Sequence, residues 1–409
     1  MIFESIIVGR GLIGSAAAKY ISRSQKNVAL IGPDEATALE QGIVFASHYD
    51  RARIQRIVGK DSIETLLNLQ SSQQHSDLEK ESGINYHVGD GCLLVTPDDT
   101  DDYLNHYQEE AKKFDVDFQI FQNASELKNF NSNLRFPGSA KGIYEPAPSG
   151  HINPRLLIKA QSEVFKRNGG KIFNNTVTDV SVENDAIKIT CLDDQTFYAE
   201  KVLLAPGSFV NYLNLLENKL VLKVKSETTI WVKVKEEEAL RLSSLPPLLY
   251  KINEPEVQDI YLIKPLKYPD GNFYLKMGAN IPNDIYFNSL QEIQEWFKNE
   301  NKNDNRPALE KALKSILPGI SIEEVREKRC IVCYTAHNKP YIGRIKKGLF
   351  VAAGGNGYAA MSSDTLGKIA ATVLLEDQFP AGFSAKDFVP VFECPYVYNK
   401  NLSPSHFGT

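Results

Sequence analysis

Gly9, Gly11 and Gly14 carry the first recognisable chemistry in the chain. They stand in Val8-Gly9-Arg10-Gly11-Leu12-Ile13-Gly14, directly after the apolar run Ile6-Ile7-Val8 and directly before Ser15-Ala16-Ala17-Ala18. A strand, a G-x-G-x-x-G turn and a small-residue helix, in that order, make a grip for a dinucleotide pyrophosphate. Gly9 permits the tight turn, Gly11 lets the backbone approach the phosphates, and Gly14 lets helix and strand pack closely. The free N–H groups of the first helical turn, from Leu12 and Ile13 onward, and the positive end of the helix dipole then face the anion. A glycine triad alone also fits a bare packing turn; its position straight after a strand favours the dinucleotide.

The ribose contact is less regular. An acidic residue is expected roughly 20 residues past the glycines, at the end of the second strand. That strand is Asn27-Val28-Ala29-Leu30-Ile31, and the expected position is Gly32. Asp34 or Glu35 is then required to reach round, or backbone groups to serve instead.

Other reactive residues have plainer alternatives. Arg53 and Arg56 fit a solvated basic face as readily as an anion site. Lys276, in an apolar strand, fits an exposed edge. Cys330 and Cys333 stand as C-x-x-C, which allows a redox pair, half a zinc site or buried structural thiols. The remaining cysteines, Cys92, Cys191 and Cys394, supply no second C-x-x-C, so no metal is expected.

The elements that must position these groups follow from pattern. With 409 residues the chain exceeds the size of a single core, so two domains are expected. It is 42% apolar and 24% charged, an ordinary globular composition. A formal net charge of −5 offers no basic surplus for nucleic acid. No stretch approaches about 18 uncharged apolar residues, so no membrane span is expected. Met1-Ile2-Phe3-Glu4-Ser5 runs straight into a strand without a basic leader, and the C-terminal Ser405-His406-Phe407-Gly408-Thr409 matches no address tag. The five cysteines fit reduced thiols and a cytoplasmic setting.

Helical patterns run through Asp61–Ser82, Asp102–Phe114 and Asn153–Asn168. Strands are expected at Cys92–Val95, Lys171–Phe173, Thr176–Val177, Ile187–Ile189 and Lys201–Ala205. The last leads into the turn Pro206-Gly207-Ser208. Alternating pieces between Leu220 and Met277 predict an antiparallel sheet. The polar run Asn299–Asn305 reads as a loop. Near the end, Leu349–Ala353 enters a second glycine turn, Gly354-Gly355-Asn356-Gly357, ahead of a helix over Ser363–Leu375. A nucleotide-binding unit assembled from the beginning, middle and end of a chain, with an antiparallel sheet inserted, suits a flavoprotein better than a nicotinamide dehydrogenase.

With these segments in place the chain resembles flavin amine oxidases of the D-amino-acid oxidase superfamily, in the monomeric sarcosine oxidase and pipecolate oxidase branch. Four segments carry the resemblance. Ser47-His48-Tyr49-Asp50-Arg51-Ala52-Arg53-Ile54-Gln55-Arg56 is similar to an S-H-x-D-x-R-x-x-R loop, which implies Arg53 over the flavin and Arg56 on a substrate carboxylate. Leu275-Lys276-Met277-Gly278 resembles an L-K-x-G strand whose lysine activates oxygen as a fixed cation. Arg329-Cys330-Ile331-Val332-Cys333-Tyr334-Thr335 resembles a strand bearing the cysteine that attaches flavin. Cys330 fits by distance to Ile342-Gly343, and Cys333 if Tyr334-Thr335 is the anchor; Cys330 is favoured. Ala352–Ser363 resembles the A-A-G-x-x-G turn whose helix faces the flavin pyrimidine.

The resemblance implies an α/β fold, with a Rossmann-like FAD-binding domain and an inserted antiparallel-sheet substrate domain. FAD-binding parts are expected at 1–85, 146–218 and 321–409, and substrate-domain parts at 86–145 and 219–320. Implied FAD contacts are Gly9, Gly11, Leu12, Ile13, Gly14, Asp34, Ser47, Arg53, Val177, Gly207, Cys330, Gly354, Gly355, Asn356, Gly357 and Met361. Lys276, Arg53 and Arg56 are implied in catalysis, and Arg56, Tyr261, Asn280, Val332 and Met361 in the substrate pocket. The branch has a lysine, a histidine and a tyrosine where this chain has Met361, Asn280 and Val332, which argues against sarcosine itself. The implied reaction is oxidation of a small amine to an imine with O2 as acceptor and H2O2 as product. The alternatives are a dehydrogenase of the same fold and a non-catalytic flavoprotein. A monomer or small homo-oligomer is expected.

Overall fold

The computed structural model describes residues 2–98, 102–183, 186–252, 254–299 and 304–393. Cys394, residues 300–303 of the polar run and the tail from 405 to 409 lie outside the described residues.

Strand Ile2–Val8 pairs in parallel with Val28–Ile31 on one side and Thr196–Leu204 on the other. Lys171–Phe173 extends the sheet beyond Val28–Ile31, and Leu349–Ala353 extends it beyond Thr196–Leu204. Parallel strands covered on both faces need apolar side chains on both, and Val28–Ile31 is buried at every position. One face packs Ile7, Leu30 and Leu203 against helices Leu12–Ile21 and Ala359–Glu376. The other packs Ile6, Val8, Ala29 and Ile31 against Val202 and Leu204. The two helices touch closely enough that a Cβ on Gly367 would lie 2.3 Å from Ala16 Cβ.

The second sheet is built round the long strand Leu222–Val234, which pairs antiparallel with Phe273–Asn280 and with Glu324–Thr335. Asp259–Lys267, Leu248–Tyr250, Cys92–Thr96, Lys141–Glu145 and Gln119–Phe121 follow in order across it. Its outer face packs on helix Arg306–Ile316 through Leu309, Leu313 and Ile316. A third, small sheet holds Arg53–Gln55, Gly150–Ile152 and His87–Val88. The architecture is mixed α/β.

Two expectations need correction. The helical pattern Asp61–Ser82 is two helices, Ser62–Gln73 and His75–Ser82, because Gln74 N–H turns back to Ser71 O and ends the first. The helix after the late glycine turn starts at Ala359, not Ser363, since Ala359 N–H bonds Gly355 O within the glycine turn itself. Glu324–Thr335 pairs along its whole length with Leu222–Val234, and Tyr341–Lys346 then pairs with Leu349–Ala353 in the first sheet.

Candidate functional site

The strand ends and glycine turns meet round one cavity. Its wall includes Gly9, Gly11, Leu12 and Ile13 from the first turn, Ser47 and Arg53 from the basic loop, and Val177 and Gly207 from the middle segment. Cys330, Val332 and Gly354–Gly357 complete it. The glycine turns converge there because they follow the C-terminal ends of the parallel strands Ile2–Val8, Thr196–Leu204 and Leu349–Ala353, while Arg53 arrives from the small sheet and Cys330 and Val332 from the antiparallel one.

The first turn fits a pyrophosphate on its own geometry. Gly9 has φ +108° and a Cβ there would lie 2.4 Å from Ala205 O, so this position requires glycine. A Cβ on Gly14 would lie 1.9 Å from Gly9 O, so helix and turn are in backbone contact. Gly11 differs: a Cβ there meets nothing within 4 Å and enters open cavity space. Helix Leu12–Ile21 has no side-chain cap and no acidic residue in its first turn, so its N–H groups remain free for an anion.

At the late turn, helix Ala359–Glu376 also begins at the cavity without a side-chain cap. Asn356 holds that turn rather than pointing at a ligand. Its Oδ1 accepts from Thr335 N at 2.9 Å and its Nδ2 donates to Gly354 O at 2.9 Å, with φ at 49°. Strand and turn are thereby tied together.

The ribose end departs from expectation. Asp34 caps the helix Glu35–Gln41, accepting from Thr37 N at 2.9 Å and Asn174 Nδ2 at 2.9 Å. Glu35 is held by Arg155 through two bonds of 2.7 and 2.5 Å. Neither carboxylate is in the cavity wall, which at that end is Arg10, Ile31, Gly32 and Pro33.

The basic loop forms a buried ion cluster. Asp50 is separated from Arg53 by Arg51 and Ala52, one residue more than the S-H-x-D-x-R pattern allows. Asp50 Oδ2 accepts from both Arg53 Nη1 and Lys276 Nζ. Lys276 is 2% exposed, also donates to Ala52 O at 3.3 Å, and lies 5.3 Å from the Tyr261 ring centre. It stands behind the wall formed by Arg53 and Tyr261 rather than in it. Burial lowers its ammonium to about 8, helped by Arg53 and opposed by Asp50. The Asp50 carboxyl ends well below the usual range: burial pushes it up, and Lys276 and Arg53 outweigh that.

Arg56 lines the cavity and is 1% exposed. Its Nη1 donates to Val58 O, whereas Nη2 has no hydrogen-bond partner and lies 3.9 Å from Glu64 Oε1. Val332, Tyr261 and Met361 share its cavity. Asn280 does not reach it. It bridges Lys225 Nζ at 2.6 Å and Asp259 at 2.9 Å inside the antiparallel sheet. Glu227, Leu249 and Tyr358 line the cavity and were not expected. Glu227 becomes visible only through register, since it pairs with Cys330.

Both Cys330 and Cys333 line the cavity. In an extended strand residues three apart lie about 10 Å apart on opposite faces, too far for a disulfide. Burial raises both thiols; Cys330 feels Arg53, Glu227 and Lys276, whereas Cys333 is bonded to Ser208. Among the described residues no group of His, Cys, Asp or Glu could hold a metal ion.

A sequence profile described as DAO, FAD dependent oxidoreductase, matches residues 4–373. The chain belongs to this family. FAD is therefore the dinucleotide its cavity takes. N-methyl-L-tryptophan oxidase of Yersinia pestis (strain Pestoides F) is 26% identical over 215 residues, covering 52% of this chain and 56% of that protein. The match thus spans little more than half of the curated relative's length. NikD, an unusual amino acid oxidase essential for nikkomycin biosynthesis, superposes with a TM-score of 0.75 at 17% identity, over 97% of this chain and 99% of NikD. Glycine oxidase from Geobacillus kaustophilus gives 0.72 at 20% identity, over 95% and 98%. These likenesses establish the family member's fold as that of amine and amino-acid oxidases. No described helix is long and apolar enough to cross a membrane.

Proposed function

We propose that this FAD-dependent oxidoreductase oxidises the C–N bond of a small amine or N-alkyl amino acid to an imine, with O2 as acceptor and H2O2 as product. The buried guanidinium of Arg56 in the cavity wall carries the reading: its Nη2 makes no hydrogen bond and has Glu64 Oε1 as an ion-pair partner at 3.9 Å. A desolvated guanidinium with a free donor is matched by a carboxylate, which gives charge-assisted hydrogen bonds worth about 1.5–3 kcal/mol. FAD, once bound, would supply the two-electron redox chemistry between amine and oxygen.

The protein's own residues orient and charge the site. Arg56 holds one end of the substrate, Val332, Tyr261 and Tyr358 shape the chamber, and Met361 leaves the opposite side without a second cation. Any carboxylate is then gripped from one side only. Arg53, with Lys276 behind it, places positive charge where electrons accumulate during turnover. Cys330 is the attachment point for FAD in this reading, beside Arg53 in the wall. The setting is cytoplasmic, and the protein acts as a monomer or small homo-oligomer. A panel of primary amines and N-methyl amino acids, scored by peroxide release and by anaerobic bleaching of the flavin colour, tests the reading. Bleaching by none of them overturns it.

A further inference from the structure

The buried carboxylate of Asp50 is the part of the ion cluster with no role so far. We infer that Asp50 is a positioning residue: it clamps the Lys276 ammonium to the Arg53 guanidinium, so that the two cations act on the flavin cavity as one unit. This rests on the reading of Lys276 as the oxygen-activating cation.

Geometry carries the inference. One oxygen, Oδ2, accepts from both cations, although they come from different sheets: Arg53 from the small sheet, Lys276 from the large antiparallel one. The other oxygen, Oδ1, accepts from the backbone N–H of Arg51 at 2.6 Å and Ala52 at 3.4 Å, and faces Tyr268 Oη at 3.4 Å. The carboxylate is therefore fixed from one side by its own loop and presented on the other to the two cations. The additional residue between Asp50 and Arg53 lets one loop place both a carboxylate and a guanidinium there.

The electrostatics agree in sign. Lys276 is enclosed by Arg53, Tyr261, Cys330 and Trp231, which stands opposite it across the strand pair. Tyr268 and, further out, Arg155 complete the surroundings of Asp50. Of these groups Asp50 is the one that favours a charged lysine most strongly; burial and Arg53 both disfavour it. Without the carboxylate, two cations would share a dry site, and the lysine, the one able to lose a proton, would do so.

The test is a titration of lysine 13Cε resonances in the flavin-loaded protein, with Lys276 assigned through Lys276→Met. Wild type is expected to titrate near 8. Asp50→Asn is expected to lower that midpoint by at least about one pH unit, and Asp50→Glu to restore most of it. In rapid mixing with O2, the pH at which reoxidation slows should move with the lysine. An unchanged midpoint in Asp50→Asn overturns the inference. Should that variant fail to fold, wild type alone decides: a lysine already neutral at pH 7 is not clamped by a carboxylate. Failure of the Lys276 reading looks different, because Lys276→Met would then reoxidise at the wild-type rate whatever the titration shows.

Discussion

Cys330 stands directly opposite Glu227 in the antiparallel pair of Glu324–Thr335 with Leu222–Val234. That register puts a thiol and a carboxylate into the same cavity wall, where Arg53 and Glu227 both lie close enough to act on the thiol, in opposite directions. The first prediction concerns this thiol. After acid precipitation, yellow colour is expected to stay with wild-type protein and Cys333→Ala, and to be lost to the supernatant in Cys330→Ala. Colour released from wild type would show that FAD is held without a covalent bond.

Lys276→Met removes a buried cation behind the flavin cavity. Reoxidation of the reduced enzyme by O2 should slow by about 100-fold, the scale for deleting one preorganised electrostatic group. In wild type the same rate should decline as pH rises through about 8, because the charged form is lost there. Stopped-flow measurement across pH checks both.

Gly11→Ala and Gly14→Ala should fail differently. A methyl at Gly14 meets Gly9 O at 1.9 Å, so that variant is expected to lose folded protein. A methyl at Gly11 meets no protein atom and occupies cavity space instead. Its apoprotein should melt like wild-type apoprotein while FAD binds at least about tenfold more weakly. Thermal melts with and without FAD separate the two.

Arg56→Met should raise KM for a carboxylate-bearing substrate by about 10- to 100-fold, from the loss of charge-assisted hydrogen bonds. An uncharged amine of similar size should be affected far less. Steady-state peroxide assays with matched pairs of substrates measure the difference.

His75 offers a pH test away from the cavity. It is 5% exposed, bonded to Tyr86 Oη at 3.0 Å, and burial lowers its imidazole to about 3 from 6.5. The folded-state value lies below the unfolded one, so His75 costs nothing above pH 6.5 and destabilises the fold as pH falls below it. The loss is up to about 1.4 kcal/mol per pH unit. His75→Gln should melt closer to its neutral-pH temperature at pH 5 than wild type does.

The sequence by itself determined what local pattern controls. Strand–turn–helix order at Gly9–Gly14, the apolar parallel strands, the alternating strands after Leu220 and the late glycine turn were all legible. Hydrophobic period and glycine placement are properties of neighbouring residues. Helix ends were read less well. The break at Gln74 and the start at Ala359 depend on single backbone hydrogen bonds inside otherwise continuous patterns.

Tertiary structure decided which side chains the site receives. Asp34 and Glu35 were near the ribose position in sequence, yet one caps a helix and the other binds Arg155. Asn280 lies one strand from the cavity and is spent on Lys225 and Asp259. Glu227 entered the wall through strand register, and Asp50 reached Lys276 across 226 positions of sequence. A buried charge takes whichever partner the folded chain brings within bonding distance, because leaving it unpaired costs more than any local preference supplies. That choice is made between sheets, and no stretch of sequence contains it.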